Sequence, residues 1–306
     1  MSFPFRSTAK RIAERGLRTA LAPVRLRSLR ERALILAYHN VVPDNWAGGG
    51  DRSLHLSHAD FIAQLDILQA THDIVPLGTL VESTASSHTR PRAAITFDDA
   101  YSGAVNVGLP ELARRGLPAT VFVTPGFLGG RAFWWDELAL PEGGLDPEVR
   151  AAALETLGGD DRVVRTWAAA RRAPVHPAAP EARASAIDEI EAAMRAGFVT
   201  LGAHTWSHPN LTRADDERLA RELTEPFTWL QERFGPSMVP FLAYPYGRFD
   251  GRVIRAAAAA GYKAAFAIVG GWVPAPIENP LAIPRVNIPA GISANGFALR
   301  SAGVLL

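Results

Sequence analysis

From residue 33 onward, short apolar runs recur along the chain: ALILAY at 33–38, AAITF at 93–97, ATVFV at 119–123, FVTLGA at 198–203, VPFLAY at 239–244, KAAFAIV at 263–269 and IPRVNI at 283–288. Stretches with helical spacing alternate with them, near 58–70, 103–115, 184–196, 213–234 and 250–260. Strands apolar at nearly every position are buried on both faces, as in parallel sheets covered by helices. The alternation therefore predicts an α/β fold with a parallel sheet, open or closed into a barrel. No internal repeat interrupts it, and the Ala-rich stretch 256–260 reads as a good helix.

Two segments depart from that rhythm. More than seventy residues between Thr124 and Phe198 contain no convincing strand, but hold Phe133, Trp134, Trp135, Gly- and Pro-rich turns, and helical stretches near 147–157 and 160–172. An insertion of this length (residues 125–197) is expected to serve as a lid or substrate-binding elaboration. At the other extreme, residues 1–32 read as a basic amphipathic segment. Ala9, Ile12, Ala13, Leu17, Ala20, Leu21 and Val24 follow helical spacing, with Arg6, Lys10, Arg11, Arg15 and Arg18 outside the stripe. Ser7 is the expected N-cap and Pro23 the expected stop. Such a helix either packs on its own domain or rests on anionic lipid through residues 7–22.

Composition sharpens this picture. An apolar share of 48% supports a large core. Cys is absent, so any metal site must draw on His, Asp or Glu. The net charge of +1 hides an asymmetry: residues 1–32 carry nine Lys/Arg against two Asp/Glu, a balance of +7, and the remainder is net −6. A mildly acidic body argues against nucleic acid as a partner. The first thirty residues lack the uncharged apolar core of a signal peptide, and no run is apolar enough to span a bilayer. The expected location is the cytoplasm, with a peripheral fraction on the inner membrane face.

Four polar clusters close predicted strands: Tyr38-His39, Asp98-Asp99, His204-Thr205-Trp206-Ser207-His208-Pro209 and Tyr244-Pro245-Tyr246-Gly247. In parallel α/β folds the C-terminal strand ends converge on the active site. Asp98-Asp99 alone reads as a helix N-cap, which accounts for one carboxylate; two beside a buried strand repel each other unless a cation lies between. His204 and His208 are two surface histidines or a ligand pair on a loop, since Pro209 disfavours helix at His208. Together with an aspartate they make three protein ligands and leave a position open for water, as catalytic zinc sites do.

Thr96-Phe97-Asp98-Asp99, the His204–Pro209 segment and Tyr244-Pro245-Tyr246-Gly247, in that order, resemble the first three motifs of the polysaccharide deacetylases, carbohydrate esterase family 4. The resemblance runs from about Leu34 to Ile288. It includes Leu117-Pro118-Ala119-Thr120-Val121-Phe122, and also Phe133-Trp134-Trp135-Asp136-Glu137-Leu138, which is similar to a bacterial subgroup linked to exopolysaccharide synthesis. It implies a distorted (β/α) barrel of about seven parallel strands over residues 33–306. It also implies one divalent metal ion, expected to be zinc, on Asp99, His204 and His208, with Asp98 as general base and the Tyr246 backbone N–H as oxyanion donor.

Two departures from the family pattern need replacements. The Arg that usually opens the third motif is missing, where this chain reads Leu242-Ala243-Tyr244; Arg285 is the candidate substitute, unless it forms an ordinary surface ion pair. The late Leu-x-His motif is missing too, since no His follows His208, and His39 is the candidate general acid, as in some members that carry it on an early strand. Ala100 stands where Gly is usual, a mild change if φ there is negative. Tyr101, Trp135 and Trp272 form a stacking surface for a sugar or belong to the core. His55 and His58 read as capping and surface residues, and His72 as a loop residue.

The expected function is metal-dependent removal of acetyl groups from N-acetylhexosamine units of a polysaccharide or its lipid-linked precursor. The alternatives are a small-molecule amidohydrolase on the same fold and a non-catalytic glycan-binding homologue.

Overall fold

A computed structural model describes the backbone of residues 4–82, 88–274 and 276–305, with side chains from residue 13 onward. Seven parallel strands form its centre: β1 (Arg32–Tyr38), β2 (Arg92–Phe97), β3 (Ala119–Val123), β4 (Val199–Ala203), β5 (Met238–Ala243), β6 (Ala264–Phe266) and β7 (Val286–Asn287). Each matches one apolar run of the sequence. Their order in the curled sheet is β7-β1-β2-β3-β4-β5-β6. Phe266 of β6 bridges Ile283, just ahead of β7, so the 283–287 stretch joins the two edges into a distorted (β/α) barrel.

The strands hold together because both faces are covered. Leu34, Ile35, Leu36 and Ala37 are all fully buried, two towards each side. The helix His58–Thr71 shows how the outer layer forms. Ser57 caps it by accepting from the Asp60 N–H, and Phe61, Leu65 and Leu68 line one buried face at helical spacing. Short additions escaped the apolar pattern: Val273–Pro274 lies antiparallel on the start of β1, and Asn40–Val42 pairs with His55–Ser57. Pairings of two or three residues are too short for periodicity to reveal.

The long interruption is helical, with segments Trp134–Glu137, Pro147–Ala151, Asp161–Ala170 and Ile187–Met194. One isolated bridge ties it down, Ala184 to Tyr101, and another, Ala132 to Arg183, joins two of its own stretches of chain.

The N-terminal helix α1 spans Pro4–Ser28, which corrects both expected ends. It begins before Ser7, with Pro4 in the first turn, where its missing N–H costs nothing. It also runs through Pro23. An internal Pro costs a helix about 3 kcal/mol, but here Ala22 and Leu29, on either side of it, are buried against the barrel and Leu26 packs on the same core.

Candidate active site

The strand ends gather the predicted residues. Asp98 and Asp99 follow β2, His204 and His208 follow β4, Tyr246 follows β5, and His39 follows β1. Reaching those positions distorts the backbone. Asp99, Ala100, Thr205, His208 and Tyr246 all have positive φ, between 54° and 70°, and account for five of the six such non-glycine residues described. Strain of this kind concentrates at functional sites. For Ala100, at φ 54°, the condition that would have made its replacement of Gly mild is not met.

Asp99, His204 and His208 offer ligand atoms that all lie within 4.8 Å of one another. Nε2 of His204 is 3.6 Å and Nε2 of His208 is 3.4 Å from Asp99 Oδ1, and the two Nε2 atoms are 3.1 Å apart. Donors about 2.0–2.1 Å from a tetrahedral zinc ion stand roughly 3.3 Å from each other, so the spacing fits. His204 Nδ1 donates to the carbonyl of Ala243 at 2.8 Å, which fixes the tautomer and leaves the Nε2 lone pair facing the group. Asp99 Oδ1 and His208 Nδ1, both buried, have no hydrogen-bond partner.

Electrostatics point the same way. Burial, then the neighbouring Asp98 and Asp136, pushes the Asp99 carboxyl well above its usual range. Burial holds His204 and His208 below the ordinary imidazole value, in the neutral form that metal ligation requires. An anion that is costly to bury, beside two neutral imidazoles, is a donor set suited to a divalent cation.

Arg285 is not a surface residue. It is fully buried, and its guanidinium forks onto Asp98, Nη1 to Oδ1 at 2.7 Å and Nη2 to Oδ2 at 2.8 Å. It also donates to Thr96 Oγ1 and the Ala267 carbonyl, and lies over the Phe122 ring. Burial alone would raise the Asp98 carboxyl, but the guanidinium outweighs it and holds the group well below the usual carboxylate range.

The wall of a cavity of about 290 Å³ includes His39, Asp99, His204, His208, Trp135 and Tyr246. Asp98 is fully buried and is not part of the lining. Burial lowers His39 to about 4, and Asp98 and Asp51, which pull the other way, do not restore it. The insertion supplies Trp134, Trp135, Leu145, Arg150 and Leu154 to the wall.

The three aromatic candidates separate. Trp135 lines the cavity, its ring 4.8 Å from that of His208. Tyr101 is fully buried and outside the lining, its hydroxyl donating to Asp136 Oδ2 and accepting from Trp135 Nε1. Trp272 lies at the opposite end of the barrel. It directly precedes Val273, which pairs with Ala33 at the start of β1, and it stacks on His72.

Other residues were not legible. His55, expected at the surface, is buried and pairs through Nε2 with Asp136 Oδ1 at 3.0 Å, and through Nδ1 with Asn40. Gly50, at φ 100°, is needed beside this pair, because a Cβ there would meet Asp136 Oδ1 at 2.7 Å. Glu222 accepts from the backbone N–H groups of Trp206 and Ser207 and from the Ser207 hydroxyl, fixing the loop that carries both histidines. It lies 16 residues from Trp206, on the next helix, Asp216–Phe234, and only its burial would have flagged it.

Comparison with known proteins agrees with this geometry. The polysaccharide deacetylase family model matches residues 85–265. No curated protein gives a significant match. Solved structures share the fold at low identity. IcaB from Ammonifex degensii superposes with a TM-score of 0.60 at 18% identity, over 90% of this chain and 97% of that one. The Streptococcus pyogenes deacetylase PplD gives 0.59 at 17%, over 87% and 96%. A de-N-acetylase from Aggregatibacter actinomycetemcomitans gives 0.55 at 17%, over 83% and 94%. With the match spanning more than half its length, the chain belongs to the polysaccharide deacetylase family, the hydrolases of carbohydrate esterase family 4.

Proposed function

We propose that the protein is a metal-dependent N-deacetylase acting on N-acetylhexosamine units of a polysaccharide or its lipid-linked precursor. The observation that carries this reading is the convergence of Asp99, His204 and His208 on one point of the cavity wall, above a carboxylate held by a buried arginine. That one structural relative is a de-N-acetylase supports the choice of bond. A divalent cation, best matched by zinc, would supply Lewis-acid polarisation of the acetyl carbonyl and of the attacking water.

The chain's own residues do the rest. Arg285 keeps Asp98 ionised and fixes its orientation, so that it accepts the proton the attacking water gives up. The Tyr246 backbone N–H is assigned to the developing oxyanion. His39, neutral in the free enzyme, takes over the proton that Asp98 accepted and delivers it to the departing amine, which cannot leave as an anion. Trp135 packs beside the reacting group and excludes water from it.

One observation favours a second division of labour: His39 lines the cavity and Asp98 does not. In that reading His39, neutral in the free enzyme, takes the water's proton itself and returns it to the amine, with the Asp98–Arg285 pair setting its field.

The test is acetate release from short N-acetylglucosamine oligomers, with and without chelator. Acetate that disappears with chelator and returns with zinc is expected. Hydrolysis of cyclic amides alone would mean an amidohydrolase, and glycan binding without acetate a lectin-like protein. Under the first division Asp98→Asn removes most turnover, and His39→Ala costs about a hundredfold on acetamido sugars but much less on activated acetyl esters. Under the second, His39→Ala silences both substrates while Asp98→Asn keeps part of the activity.

A further inference from the structure

Helix α1 meets the barrel with one face and leaves another bare. Its inner face follows the last helix, Ala294–Ser301. Ser293 Oγ donates to Glu14 Oε2 at 2.5 Å, Arg18 Nη1 to Asn295 Oδ1 at 3.1 Å, and Arg25 Nε to the Gly303 carbonyl at 3.4 Å. Ala22 and Leu29 are buried along the same line. The sequence's apolar stripe is not part of this face. Leu17, Leu21 and Val24 are 40, 45 and 66% exposed. At 3.6 residues per turn their stripe lies roughly 90–100° round the helix from the packed side. It continues across a shallow groove, lined by Leu21, Val24, Arg25, Ser28, Gly303 and Val304, towards the exposed Leu305.

Charge selects the occupant. The first 32 residues have a balance of +7 while the rest of the chain is net −6. A second copy seated on the stripe would bring two such cationic helices together, which like-charge repulsion opposes. An anionic surface is drawn to the helix and repelled by the body, so it meets the protein in one orientation.

That orientation bears on the cavity. The contacts ascend together along both helices, Glu14 with Ser293 and Arg25 with Gly303, so α1 runs parallel to Ala294–Ser301. The last helix follows β7 and starts at the end of the barrel where the cavity opens. The first ten residues of α1, about 15 Å of helix, extend past Glu14 in that same direction.

We propose that α1 is a docking helix for an anionic lipid surface, seating Leu17, Leu21 and Val24 at the boundary of headgroups and acyl chains beside its cationic residues. The protein then works on substrate held at a membrane surface, with the N-terminal end of α1 on the cavity side.

Flotation of the full chain with phosphatidylcholine vesicles, with and without phosphatidylglycerol, tests this. The wild type should float only with phosphatidylglycerol and release in high salt. The triple variant Leu17→Asp, Leu21→Asp, Val24→Asp should lose about tenfold or more in vesicle affinity. All three side chains already face solvent, so its thermal unfolding should be unchanged, and Phe198→Asp with Val269→Asp, exposed sites outside α1, should bind normally. No flotation of the wild type, equal binding by the triple variant, or a solution dimer that the triple variant dissolves would each overturn the proposal. Acetate release from soluble oligomers, equal in wild type and triple variant, keeps this test separate from that of the catalytic reading.

Discussion

Two buried clusters of aspartate and histidine lie side by side at the mouth of the barrel, and they use their lone pairs differently. In one, Asp136 accepts from the Asp51 N–H and from His55 on Oδ1 and from Tyr101 on Oδ2, while the other nitrogen of His55 meets Asn40. In the other, Asp99 Oδ1 and His208 Nδ1 have no partner, and two imidazole nitrogens face each other at 3.1 Å. The residue types are the same. In the first cluster both Asp136 oxygens and both His55 nitrogens are used without a ligand, only Asn40 Oδ1 being left over, and it pins the insertion to the Asn40–Val42 and His55–Ser57 ribbon. In the second, Asp99 Oδ1 and the two Nε2 atoms face one another with no donor hydrogen-bonded to that oxygen, an arrangement that a divalent cation would join. Saturation of hydrogen bonds, not the presence of Asp and His, separates structural glue from a place for chemistry.

His208→Ala tests that distinction most severely. It should abolish zinc retention, measured by metal analysis after dialysis, and with it acetate release, while the chelated protein keeps its unfolding midpoint. A midpoint that collapses without metal would make the second cluster as structural as the first. Asp136→Ala should do the reverse. It strands His55 and Tyr101 and should cost about 1–3 kcal/mol or more in denaturant unfolding, with zinc stoichiometry intact. Loss of zinc from this variant would merge the two clusters into one.

A smaller effect comes from a buried histidine outside both. Burial, with Arg90 adding to it and a hydrogen bond at Ser301 opposing it, draws His72 down to about 4, against 6.5 in the unfolded chain. The unfolded state therefore takes up the proton first. Stability is full above pH 6.5 and falls on acidification towards pH 4, by about 2 kcal/mol at pH 5 from this group. Unfolding of the chelated protein at several pH values should show the slope, and His72→Phe, which keeps a ring against Trp272, should flatten it. Least of all, Ala100→Gly exchanges a strained φ for a lost buried methyl, and should move stability by no more than about 1 kcal/mol; a larger gain would mean the strain dominates.

The sequence carried the barrel well, because a strand buried on both faces has to be apolar at nearly every position, and seven such runs were visible. The convergence of Asp98, Asp99, His204 and His208 followed from their common place at strand ends. What stayed hidden was non-local. His55 and Asp136 are 81 residues apart and Arg285 and Asp98 are 187 apart, and no periodicity links them. Pro23 and Trp272 were misplaced for a related reason. Packing of Ala22 and Leu29 overrides the local rule that Pro stops a helix, and an aromatic residue does not announce which end of a barrel it occupies.

The pairing of Arg285 with Asp98 also sets an order of events in the making of the protein. At synthesis rates of ~5–20 residues per second, a gap of 187 residues means that Asp98 leaves the ribosome roughly ten to forty seconds before its guanidinium. Until then, burying the end of the central strand β2 costs either a bare charge or the protonation of Asp98. The charge is matched by Arg285 only when the segment leading into the last strand docks, so the mouth of the barrel gains its full stability last.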